Sequence, residues 1–104
     1  MTLVELNLLL KATGYPVAYS HFLEATPAPF ITYLVDDNPN FMADNKVYHK
    51  IDSVDIELYT DIKDLAAEAK LENLLDQAEI PYYAYNDYIS DEKLFKKTYE
   101  VRLF

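Results

Sequence analysis

Near Thr60 the hydrophobic period of the chain changes from two to nearly four, and that change limits the possible folds more than any other feature. Over Ser53–Tyr59, Val54, Ile56 and Leu58 alternate with Ser53, Asp55 and Glu57, as a strand with one buried face requires. Val47 and Ile51 fall in the opposite phase, which predicts a bulge or sharp twist near Asp52. Beyond Thr60, the residues Ala67, Leu71, Leu74, Leu75 and Ala78 share a side only if the backbone is helical. Thr60 or Asp61 is the expected N-cap, and Asp61, Asp64 and Glu68 put negative charge where a helix N-terminus favours it. Pro81 marks the stop. Val47–Ala78 therefore reads as one long strand feeding one helix, with the other segments laid against that pair.

Those other segments carry clear local signals. Leu3, Leu6 and Leu10, joined by Leu9, repeat at helical spacing; Thr2 can cap the start, and Gly14 at C′ with Pro16 beyond it ends the helix. Val17–Pro29 reads as irregular, with Pro27 and Pro29 fixing an extended approach. Phe30–Val35 reads as a strand apolar on both faces. The turn cluster Asp36–Asn40 follows, so Phe30 to Tyr59 is expected to form an antiparallel hairpin whose long connection projects from the body. Tyr82–Ile89 is a further strand, Ser90–Lys93 a turn, and Leu94–Phe104 a last strand. In that strand Phe95, Tyr99, Val101 and Leu103 alternate with Lys96, Thr98, Glu100 and Arg102. No internal repeat, low-complexity tract or linker interrupts the order. The expected architecture is a single α+β domain over 1–104, an antiparallel sheet of four to five strands with two helices packed on one face and a projecting β-hairpin.

Composition narrows the function. With 51% apolar residues the chain has material for a core, and ten tyrosines among them suit half-buried or interfacial surface as well as they suit strands. Eighteen acidic against nine basic residues give a net charge of −9, a surface that repels nucleic acid. A protein standing around a DNA path without holding it remains compatible. The chain has no cysteine for disulfides or thiolate chemistry, and the polar residues within Met1–Lys11 argue against a signal peptide or membrane span. Gly14 is the sole glycine, so glycine-rich phosphate loops and dinucleotide fingerprints are absent.

Candidate sites are few. Asp36, Asp37, Asp44, Asp52 and Asp55 crowd the hairpin, but Asp36–Asn40 lacks the alternating ligands and glycine of a calcium loop. His21 and His49 have no nucleophile motif beside them. No catalytic residue, cofactor or metal is therefore assigned, and the chain is not read as an enzyme. Phe41 and Met42, at the tip of a polar loop beside Asp44 and Asn45, are the expected contact with a partner. Asp61, Asp64, Glu68 and Glu72 read either as a solvated helix face or, with copies arranged in a ring, as an acidic lumen.

Taken in order, several stretches resemble a family. They are Pro29-Phe30-Ile31-Thr32-Tyr33, Ala43-Asp44-Asn45-Lys46-Val47-Tyr48, Val54 through Asp61, Glu68 to Leu75 and Tyr99-Glu100-Val101-Arg102-Leu103. The chain is similar across most of its length to the small tail-terminator or tail-completion proteins of long-tailed bacteriophages, the minor capsid and head-tail joining proteins of phages and prophages. The resemblance rests on pattern and order and brings no catalytic motif. It implies a virion structural protein made in the bacterial host cytoplasm. Such a protein assembles as a ring, usually a hexamer, that caps the tail tube and meets tail-tube and head-connector proteins, without sequence-specific nucleic-acid binding or a membrane. The single glycine and short first helix would equally suit another connector piece. Two other classes stay open: an acidic inhibitor or DNA-mimic protein that occupies a basic groove, and a small enzyme built on the aspartates.

Overall fold

A computed structural model describes residues 1–36 and 52–103. The element order is α1 (Leu3–Lys11), β1 (Val17–Tyr19), β2 (Phe30–Val35), β3 (Asp52–Thr60), α2 (Leu65–Gln77), β4 (Tyr82–Ile89) and β5 (Leu94–Leu103). This is the expected α+β class: one sheet of order β1-β2-β3-β5-β4 with both helices against it.

β3 is the central strand, and its alternation sets the two faces. Val54, Ile56 and Leu58 are buried with Ile31 and Tyr33 of β2 and with Tyr99, Val101 and Leu103 of β5. Leu6 and Leu10 of α1 and Ala67, Leu71 and Leu75 of α2 close over them in one core. Register confirms the shared face, since Ile56 lies opposite Tyr33 on one side and Tyr99 on the other. Burying a leucine side chain of this kind is worth about 1.5–3 kcal/mol, so these residues hold the helices down.

Three details depart from expectation. The sheet is mixed, because Val17–Tyr19 within the segment read as irregular pairs parallel with β2. Parallel pairing obliges residues 20–29 to carry the chain back along the sheet before β2 can start, and Phe22 rests edge-on against Phe30 at 5.4 Å on the face away from the helices. The N-cap of α2 is Asp64, whose side chain accepts from the Ala67 N–H at 3.0 Å. Thr60 is still paired to Phe95 in the sheet, so the helix cannot begin there, and Asp61 precedes the cap. At the end of α1 the cap is Ala12, which places Gly14, with φ of +87°, one residue later than C′.

The expected cap at Thr2 is present, and Glu5 completes it as a capping box. β2 and β3 pair antiparallel from Phe30–Tyr59 to Val35–Val54, so the two arms of the expected hairpin stand side by side. Its tip, and the phase change at Val47 and Ile51, lie outside the described residues. Among those described, no helix is long and apolar enough to cross a membrane.

Candidate functional site

The helix-covered face of the sheet hides a lysine. β5 alternation puts Lys97 on the same side as Tyr99, under α2, and the helix answers with two carboxylates one turn apart. Lys97 Nζ donates to Glu68 Oε1 at 3.0 Å and to Glu72 Oε2 at 2.9 Å. The Tyr99 hydroxyl donates to the same Glu72 oxygen at 2.7 Å, and Lys63 Nζ pairs with Glu68 Oε2 at 2.7 Å. Burial alone would push the Glu68 carboxyl up, but the hydrogen bonds from Lys63 and Lys97 outweigh it and hold it below the usual range. Burial and the facing Glu72 push the Tyr99 hydroxyl well above the ordinary tyrosine range.

This changes the reading of the acidic helix face. Glu68 is only 8% exposed, and with Glu72 it turns toward the sheet and is neutralised there. Asp64 is occupied as the N-cap, and only Asp61 stands in solvent. The four carboxylates therefore do not form one solvated strip. The i, i+4 spacing that suggested such a strip serves Lys97 instead.

Among the described residues, no helix lies over the opposite face of the sheet. Thr32 donates to Glu57 Oε1 at 3.1 Å, and Lys96 Nζ lies 3.4 Å from Glu57 Oε2. Asp55, next along β3, sits directly across from Glu100 of β5. Its Oδ1 is buried and has no hydrogen-bond partner among the described residues. Burial first, then the charges of Asp36, Glu100 and Glu57, push the Asp55 carboxyl up from 3.8 to about 6, against the pull of Lys96.

Two surfaces could meet a partner. The first is the edge strand β4, which among the described residues pairs only with β5. Tyr83, Tyr85 and Tyr88 on it are 67%, 41% and 49% exposed, an aromatic density unusual for solvent and typical of interfaces. The second is a groove of about 530 Å³ between the 20–26 loop and the β4–β5 turn. Phe30 and Tyr59 stack in its wall at 4.8 Å, with Phe22 beside them, and Leu94 and the carboxylates Glu24 and Glu92 complete it.

The expected contact residues Phe41, Met42, Asp44 and Asn45 lie outside the described residues, as do His49 and Asp37. His21 borders the groove, with Nδ1 at 3.1 Å from Ser20 Oγ. Among the described residues no group of three or more histidines, aspartates or glutamates is arranged to hold a metal ion. Sequence reasoning missed both Lys97 and the groove. Lys97 had a readable signal, a charged residue in the apolar phase of a strand, whereas the groove depends on a loop with no period.

No protein-family model matches the chain, and no curated protein or solved structure matches it significantly.

Proposed function

We propose that this chain is a virion structural protein of a long-tailed phage or prophage, a tail terminator or head-tail joining component that assembles as a ring at the end of the tail tube. It works by binding copies of itself and the tail-tube and head-connector proteins, after synthesis in the host cytoplasm. The observation that carries the reading is the β4 edge, unpaired among the described residues, with its three exposed tyrosines. An eight-residue edge with aromatic side chains is a standing template for association unless something covers it. Head-to-tail contacts that close into a ring cover one such edge per subunit and leave none free. The family resemblance supplies the biological setting, and its segments at Ile31, Ile56, Leu71 and Val101 contribute to the core that presents this edge.

The net charge of −9 also suits an acidic inhibitor of a basic protein. That protein would be monomeric when free and would lose its partner as salt rises. Gold-labelled antibody against the chain, applied to particles released by the host, separates the readings. Label at the head-proximal end of tails supports the terminator, and particles free of label oppose it.

A further inference from the structure

We propose that the groove between the 20–26 loop and the β4–β5 turn is a docking site for a basic segment of a partner protein, one in which lysine or arginine alternates with apolar residues. Its volume of about 530 Å³ falls in the range of sites that hold a ligand rather than a few waters. One wall is aromatic: Phe30 and Tyr59 are stacked 18° from parallel, and Phe22 meets Phe30 edge-on. Leu94 adds apolar floor, while Glu24 and Glu92 stand on opposite banks, one on the loop and one on the turn. Among the described residues, no lysine or arginine lines the groove. Aromatic rings with a carboxylate on each side form a surface for a cationic head on an apolar stem, because ring faces and carboxylates attract the same charge. An anionic partner would meet both carboxylates and the field of a chain at −9. The arrangement does not depend on ring assembly, since neither bank includes the exposed tyrosines of β4.

The test uses the full chain and a blocked octapeptide alternating arginine with leucine, compared with glutamate–leucine and serine–leucine versions. Binding is read by fluorescence anisotropy and mapped by NMR shifts. The arginine peptide is expected to bind, with shifts at Phe22, Tyr59 and Leu94, and the other two are not. Phe22→Ser should weaken binding about fivefold, the scale of one cation–π contact. The double variant Glu24→Gln with Glu92→Gln should do the same and keeps the test valid if Phe22→Ser disturbs the loop. Asp76→Asn, at the far end of α2, should change nothing. Equal binding of the serine peptide, shifts spread over the surface, or indifference to both groove variants would overturn the proposal. So would groove shifts that grow with protein concentration alone, which would assign the site to a second copy of the chain.

Discussion

Lys97 occupies a position that β5 alternation reserves for an apolar side chain, and the chain answers it with Glu68, Glu72 and the Tyr99 hydroxyl. Removing only the lysine leaves two carboxylates close together under the helix. Lys97→Met should therefore destabilise the fold by about 2–3 kcal/mol at neutral pH, below the full cost of breaking a buried pair because Glu72 retains some exposure. Denaturant melts should show this loss shrinking in acid. Glu68 is held below its usual range, so its contribution is complete at neutral pH and is lost as pH falls through that lowered value. Asp55 carries the opposite sign. Its carboxyl is raised from 3.8 to about 6, so the folded chain holds a proton that the unfolded chain releases, and stability falls as pH rises between those values. Asp55→Asn should raise stability at pH above 7 by about 1–2 kcal/mol after solvent screening, and should have no effect in acid below both values. Thermal melts at the two extremes check this.

At the level of elements, what the sequence disclosed was whatever had a period. β3 and β5 were legible because Val54, Ile56 and Leu58, and Tyr99, Val101 and Leu103, alternate over long enough runs, and α1 because Thr2 stands as a cap before a leucine stripe. β1 was not legible, because Val17-Ala18-Tyr19 is too short for a pattern and its parallel pairing with β2 is decided by distant contacts. The start of α2 was placed too early, since the competing demand of the sheet on Thr60 does not appear in local sequence. Its end holds a detail of the same kind. Ile80 N–H bonds to the Leu75 carbonyl at 2.9 Å and Glu79 N–H to that of Asp76 at 3.0 Å, which is the double closure of a helix that turns left-handed. The left-handed residue is Glu79, with φ of 57°, where glycine is normally found. Glu79→Gly relieves a side-chain clash of about 1–2 kcal/mol and loses about half of that to unfolded-state entropy. A net gain of about 0.5–1 kcal/mol is expected in a urea melt.

At the scale of the molecule, the helices cover one face of the sheet, and among the described residues nothing covers the other face or the β4 edge, which the proposed function assigns to partners. The candidate sites divided the same way: Glu68 and Glu72 went to the interior, and the exposed tyrosines went to the edge, a distinction that depends on three-dimensional neighbours. Tyr83→Ser with Tyr85→Ser, and separately Phe41→Ser with Met42→Ser, should each leave the melting temperature nearly unchanged while preventing assembly. A large loss of stability in either would assign those residues to the folding core. The most direct test of the account is the molar mass of the unmodified chain by light scattering, followed up to its solubility limit, with negative-stain images of the same samples. The account predicts closed rings of one size whose mass is a fixed multiple of 12.1 kDa. A monomer at every concentration would contradict it.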